Sequence, residues 1–326
     1  MKQIKWGILG TGKIAKKFAQ GLMILEEAEL HAVGSRTAES AKAFAAEYEV
    51  KKAHASYEAL ARDPEVEVIY VATPHPFHLP NAKMCLEAGK AIICEKPLTV
   101  NAKEAKILID TAKRQNLFLM EAMWTRFLPA IVALRKMLAE GIIGEVVKLS
   151  ADFSFIAPFD AEKRTYNADL AGGSLLDIGI YPISFAYMIF GREPVHVSSF
   201  GQLASTGVDQ QSAYLFGYDH GAFANLSSSF STNYNKDAYI MGTKGMIHLP
   251  LFWKTSQFSL HRVDQKSQQF HFPYKASGLQ FQAIEVMKCL KEGKKESDIM
   301  PLDESLRIMQ MMDRLRAEWG VKYPFE

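Results

Sequence analysis

Three short stretches of this 326-residue chain carry residue types and spacings that chemistry can use. The first is Gly10-Thr11-Gly12-Lys13-Ile14-Ala15, a G-x-G-x-x-A pattern between an apolar run and a helical one. Gly10 permits a tight turn, Gly12 lets a pyrophosphate approach the backbone, and Ala15 allows a helix to pack closely on its strand. Thr11, Lys13 and Ile14 complete the turn, and the helix opening there presents unpaired N–H groups and a positive dipole end to phosphate. The second stretch is Gly34-Ser35-Arg36-Thr37. A site for NAD wants a carboxylate at that point to bond the ribose 2′-hydroxyl. Ser35 and Arg36 instead suit a 2′-phosphate, one as hydroxyl donor and the other as a planar cation that also stacks on adenine. NADP is therefore favoured over NAD. The third stretch, Glu95-Lys96-Pro97, follows the apolar run Ala91 to Cys94. Carboxyl ends of strands are where open parallel sheets bind ligands, and Pro97 restrains the backbone that carries Lys96.

The elements that position these residues are legible in the periodicity. Ile4 to Leu9, Glu29 to Gly34, Val66 to Ala72, Ala91 to Cys94 and Leu117 to Met120 read as buried strands. Between them, Ile14, Phe18 and Leu22 share one helical face, Thr37 caps a second helix, and Leu79 to Ala88 ends at Gly89. Asn101 and Glu104 form a capping box for a helix that turns Ala105, Leu108, Ile109 and Ala112 inward. Alternation of this kind predicts a doubly wound parallel sheet, a Rossmann domain, over residues 1–122. From 123 to 326 the pattern changes to short alternating strands, from Val146 to Ile156 through Met246 to Leu249, with helices at Pro129 to Glu140, Leu175 to Phe190, Leu279 to Glu292 and Leu302 to Trp319. That predicts an α+β domain with a largely antiparallel, open-faced sheet.

Further candidates stand at strand ends. Thr73 and His75 follow one strand, with His78 close behind. Trp124 and Arg126 follow the last strand of the first domain: Trp124 could cover a nicotinamide or stack on a sugar face, and Arg126 could bond cofactor or substrate. Glu95 joins the cofactor-facing set, and Phe153 could line a substrate pocket. Composition excludes other classes. The 38 Lys+Arg against 36 Asp+Glu give a net charge of +2, far from the basic excess of a nucleic-acid binder. Three cysteines without C-x-x-C spacing argue against a disulfide scaffold or structural zinc, and the histidine spacing predicts no metal site. No leader is evident, and the longest apolar stretch without charge, Ile178 to Gly191, has 14 residues. A membrane span needs roughly 18 or more, so a cytoplasmic protein away from the membrane is expected. The Met309-Gln310-Met311-Met312 cluster reads as helix packing.

Three longer stretches together resemble the Gfo/Idh/MocA oxidoreductases: Gly89 to Pro97, Phe118 to Phe127, and Gly172-Gly173-Ser174-Leu175-Leu176-Asp177-Ile178-Gly179-Ile180-Tyr181. Thr206 to Asp209 and Gly242 to Met246 also fit, so the resemblance covers nearly the whole chain. It implies a catalytic set of Lys96, Tyr181 and Asp177, with Tyr181 as acid/base where many members carry histidine. That substitution points to members acting on diols and aldoses. It also implies that His75 lies near the dinucleotide and His78 near substrate, and that the chain forms a homodimer through the C-terminal sheet. The chemistry is reasonable. Bringing a tyrosine from near 10 to about 7 needs roughly 4 kcal/mol, and an ammonium about 4 Å away supplies on the order of that at an effective dielectric near 20. The expected substrate is a neutral sugar or diol, since Lys96 and Arg126 are the only cations among the expected pocket residues. Two alternatives are a non-catalytic NADP sensor, which should have lost Lys96 or Tyr181, and an NAD-dependent glycosidase-type member, against which Arg36 argues.

Overall fold

The computed structural model describes residues 3–233 and 236–326. It divides into two compact units, one of Met1–Trp124 with Lys275–Leu306 and one of Thr125–Tyr274 with Arg307–Glu326. The first unit opens with β1 (Ile4–Leu9), α1 (Lys13–Leu22), β2 (Ala28–Gly34), α2 (Ala38–Glu47), β3 (Lys52–His54) and α3 (Tyr57–Ala61). It continues with β4 (Val68–Val71), α4 (His78–Glu87), β5 (Ala91–Glu95), α5 (Ala102–Gln115) and β6 (Leu119–Ala122). The six strands form one parallel sheet in the order β3-β2-β1-β4-β5-β6. Every residue of β4 and β5 is buried, as strands covered on both faces require. The predicted caps form: Thr37 accepts from the Ser40 N–H and Asn101 from that of Glu104. β3 and α3 were not foreseen, because a three-residue polar edge strand and a five-residue helix leave no period to read.

The second unit holds α6 (Pro129–Ala139), β7 (Val146–Ser154), α7 (Ile180–Phe190), β8 (His196–Leu203), β9 (Asp209–Gly217) and β10 (Phe223–Ser229). β11 (Ala238–Gly242), β12 (Gly245–Leu249), β13 (Gln257–His261) and β14 (Gln268–His271) follow. These make an eight-stranded sheet ordered β14-β13-β12-β11-β7-β10-β9-β8, antiparallel except for the parallel pair β7 and β10. Leu149, Ala151, Tyr214, Phe216, Leu226, Ile240 and Ile247 are buried on one face. Phe200 and Leu215, at 65% and 47% exposure, stand on the other, so the sheet is open-faced as expected. The apolar stretch Ala168–Phe190, which includes α7, is long and apolar enough to cross a membrane by length and composition; 83% of its most apolar window is buried, as in a core helix.

The contiguous division at residue 122 is corrected by the chain's return. α8 (Gln280–Lys291) belongs to the first unit, and the division falls inside α9 (Leu302–Trp319), after Leu306. Packing explains the return. Gly21 of α1 leaves room for the Gln280 backbone, where a Cβ would sit 3.1 Å from its nitrogen. The Ser277 hydroxyl donates to the Lys17 carbonyl at 2.9 Å, and the Leu119 N–H to the Lys295 carbonyl at 3.0 Å. A strand-and-helix pattern cannot announce a long-range partner of this kind.

Candidate active site

In the first unit the predicted residues collect at the carboxyl ends of the strands. The order of the sheet reverses between β1 and β4, which is the place where such sheets bind nucleotides. Gly10 stands there with φ +106, and a Cβ on it would lie 2.9 Å from the Ala72 carbonyl oxygen, so no other residue fits without strain. Gly12 caps α1 with no side-chain hydrogen bond, the first turn holds no acidic residue, and nothing lies within 4 Å of where its Cβ would be. Thr11 and Ile14 are half-buried, and Lys13 is exposed. Among the described residues no side chain caps this helix start, and the turn fits a pyrophosphate. After β2, Ser35 is buried with its N–H on the His54 carbonyl, while Arg36 is exposed. After β4, Thr73 and His75 are buried, and after β6 Trp124 is half-buried.

The lysine loop is held from beneath. Lys96 is half-buried between a buried strand and the buried residues Pro97 to Val100. Glu95 and His78, expected to meet cofactor and substrate, turn inward instead. Glu95 accepts from the Tyr70 hydroxyl and from the Lys96 N–H, and burial pushes its carboxyl above the ordinary range. His78 is fully buried, its Nδ1 2.8 Å from the Pro97 carbonyl and its Nε2 2.8 Å from the Thr73 carbonyl. Burial lowers its pKa, while the two carbonyls favour the protonated ring, in which both nitrogens donate. His78 therefore ties the Lys96 loop to the Thr73 loop and has no surface left for substrate. Glu121, buried in β6, completes the support by accepting from the Leu98 N–H at 3.0 Å and the Ser305 hydroxyl at 2.7 Å.

In the second unit the predicted helix from Leu175 does not start as an α-helix. Residues Leu175–Gly179 form a π-helical turn, in which the Ile180 N–H donates to the Leu175 carbonyl, and α7 follows directly. Asp177 lies on that turn and Tyr181 at the second residue of α7; both are buried. Arg164, which no motif singled out, grips Asp177 with both nitrogens, Nη1 to Oδ1 at 2.8 Å and Nη2 to Oδ2 at 3.0 Å. Its guanidinium is held above its ordinary pKa first by Asp177 and, more weakly, by Tyr181, so a cation stands near the tyrosine within its own unit. The Tyr181 ring meets Phe153 edge-on at 5.4 Å, and Phe153 stacks on Trp253 at 4.0 Å. This continuous aromatic surface suits an apolar ring or the CH face of a sugar. Trp253 also escaped sequence reading, since its partner is far away in the chain. Arg126 is corrected as well: it is buried, with Nε 3.1 Å from the Ser184 hydroxyl and Nη2 2.8 Å from the Ser184 carbonyl. It anchors α7 one turn beyond Tyr181.

Among the described residues, His31, Asp63 and Glu65 bring possible metal-ligand atoms within 4.8 Å of one another, a grouping that sequence spacing does not reveal. Lys52 lies 3.2 Å from Asp63 and 2.6 Å from Glu65, and Lys5 lies 2.6 Å from Glu65. The positive charge of this cluster is supplied by lysines. Burial works against the Asp63 carboxylate, yet the Glu65 N–H, His54 and Lys52 hold its pKa down at about 2.

A doubly wound sheet with a glycine turn at its switch point, and a tyrosine–cation group on a following α+β unit, define a dinucleotide-dependent oxidoreductase. The model of an oxidoreductase family with an NAD-binding Rossmann fold matches residues 4–123, and that of the family's C-terminal domain matches residues 131–248. The chain belongs to the Gfo/Idh/MocA oxidoreductase family. It is 38% identical over 332 residues to trans-1,2-dihydrobenzene-1,2-diol dehydrogenase of Mus musculus, covering 98% of each chain. Among solved structures, a 3-ketoreductase from Actinomadura kijaniata in complex with NADP and TDP-benzene is 27% identical, with a TM-score of 0.84 over 97% of this chain and 98% of that one. An aldose-aldose oxidoreductase from Caulobacter crescentus, solved with glycerol, shares the fold at 24% identity, with a TM-score of 0.88 over 98% of each chain.

Proposed function

We propose that this protein is an NADP-dependent dehydrogenase that oxidises a hydroxyl of a neutral trans-diol or aldose, with Tyr181 as acid/base and Lys96 and Asp177 in its catalytic set. The observation that carries the reading is Tyr181 itself: a buried phenol on an aromatic surface, with the Arg164–Asp177 pair beside it. The dinucleotide, when bound, takes up the hydride. Gly10 and Gly12 would admit its pyrophosphate, and Arg36 with Ser35 would hold its 2′-phosphate. On oxidation, the substrate hydroxyl proton passes to the Tyr181 phenolate oxygen, and on reduction the phenol returns it. Lys96 joins Tyr181 in the catalytic set by the family pattern. Arg164 supplies a positive field, while its fork with Asp177 keeps the aspartate from repelling the phenolate. Phe153 and Trp253 exclude water from one side and favour a substrate with an apolar face.

The open face of the second sheet supports a homodimer through that surface, with Phe200 and Leu215 in the contact. A cytoplasmic setting fits the composition. The test of function is hydride transfer to NADP from trans-1,2-dihydrobenzene-1,2-diol and from D-xylose. Reduction by at least one is expected, and no reduction across a panel of diols and aldoses would favour the sensor reading.

A further inference from the structure

The π-turn that carries Asp177 and leads into Tyr181 has no cap of its own. Ser174 precedes it without making a side-chain cap hydrogen bond to the turn. The acceptor comes instead from β9. Asp209, fully buried, receives the Leu175 N–H and the Ser174 hydroxyl on one oxygen, each at 2.7 Å. Its other oxygen has no hydrogen-bond partner among the described residues and faces Gly173, where an added Cβ would lie 2.4 Å away. From Ser174 the network continues to Ser228 at 3.2 Å, and from Ser228 to Tyr214 at 2.6 Å and Ser212 at 3.1 Å.

The far end of the turn rests on the same network. A Cβ on Gly179, two residues before Tyr181, would lie 2.4 Å from the Tyr214 hydroxyl and 2.9 Å from Ser228. Gly172 is enclosed by three backbone carbonyls, each 2.9 Å from where its Cβ would be, and its own carbonyl accepts from the Tyr323 hydroxyl at 2.8 Å. Both ends of the turn are thus moulded by buried polar groups with no room for a methyl group. Such a network needs a reason, because burying a carboxylate is costly: burial pushes Asp209 up to about 7 in spite of the bonds from Ser174 and Leu175. Apolar packing would support a helix more cheaply. A carboxylate that accepts two bonds at a helix start, where the dipole favours it, places one peptide unit with little freedom.

We propose that Asp209 is a positioning residue for the reaction: it caps the π-turn from a neighbouring strand and thereby sets where Asp177 and Tyr181 stand. The proposal rests on Tyr181 being the acid/base. It assigns Asp209 no contact with substrate or cofactor. An Asp209→Asn variant keeps an oxygen able to accept both bonds, whereas Asp209→Ala removes the cap.

The test compares the parent, Asp209→Ala, Asp209→Asn and Tyr181→Phe with NADP and trans-1,2-dihydrobenzene-1,2-diol, and follows amide hydrogen exchange over residues 175–181. Asp209→Ala should lower kcat about a hundredfold, the loss that small misplacement of a reacting group causes, with KM and NADP affinity within about threefold. Its 175–181 amides should exchange about tenfold faster, since the cap that closes the turn is gone. Asp209→Asn should restore both readouts to within about fivefold. An Asp209→Ala protein with parental kcat and exchange overturns the proposal, as does a loss that Asp209→Asn does not recover. Should Asp209→Ala fail to fold, Ser174→Ala and Asp209→Asn decide: unchanged kcat in the first with collapse in the second contradicts a hydrogen-bonding role. A fully active Tyr181→Phe removes the acid/base reading and this proposal with it. An inactive Tyr181→Phe beside a parental Asp209→Ala removes the positioning role alone.

Discussion

In the proposed function, Arg36 is the residue that carries the cofactor preference. It is exposed at the end of β2, where a carboxylate would serve NAD, and a 2′-phosphate gives it a charge to pair with. Arg36→Ala should weaken NADP about tenfold to a hundredfold, as loss of a charge-assisted hydrogen bond does, and change NAD less than about threefold. Fluorescence titration with both dinucleotides checks this, and equal losses would contradict a phosphate contact. At this scale the sequence was legible where a residue's setting follows from its own position on the chain: Gly10 and Gly12 stand at the turn from β1 into α1, and Lys96 directly follows β5. It misled where a ligand-like residue is used for support: His78, Glu95 and Arg126 are all buried on backbone or side-chain partners. It was silent on Arg164 and Trp253, whose roles exist only because the fold brings Asp177 and Phe153 to them.

Elements with strong periods or caps were legible: the parallel strands, α1, α2 and α5 stand where their patterns put them. β3 and β14 were not, since short polar edge strands need no apolar alternation, and β13, paired on both sides, is at five residues too short for its Phe258 and Leu260 alternation to stand out. Nor was the π-turn, whose hydrogen-bond partner Asp209 and whose close neighbours at Gly173 and Gly179 are long-range and leave no local period to read. The turn after β1 separates two roles of glycine. Gly10→Ala forces a Cβ against the Ala72 carbonyl at positive φ and should cost about 1–3 kcal/mol of stability, read by urea unfolding. Gly12→Ala meets no atom within 4 Å. It should leave stability within about 0.5 kcal/mol while weakening NADP at least about tenfold, because the methyl group occupies the pyrophosphate's approach. Equal stability of the two variants would contradict this division.

For the whole molecule, the two fold classes were legible, yet the chain's return through α8 to the first unit was not, because that packing is long-range. The near-neutral charge agrees with a neutral substrate. The open sheet face makes its own prediction: the parent should sediment as a dimer, and Phe200→Glu, which puts a charge at a 65%-exposed position on that face, as a folded monomer. A parent that sediments as a monomer, or a variant that stays dimeric, would remove the sheet from the interface. The glycine turn and Tyr181 fall in different units, so the cofactor binding and proton transfer proposed for them should be separable by substitution. The measurement that tests this most directly is NADP reduction by the diol in the parent and in Tyr181→Phe, with NADP affinity measured on both. The account predicts turnover in the parent, a loss of at least about a hundredfold in the variant, and affinities within about threefold of each other. A Tyr181→Phe protein that turns over at the parental rate would contradict it.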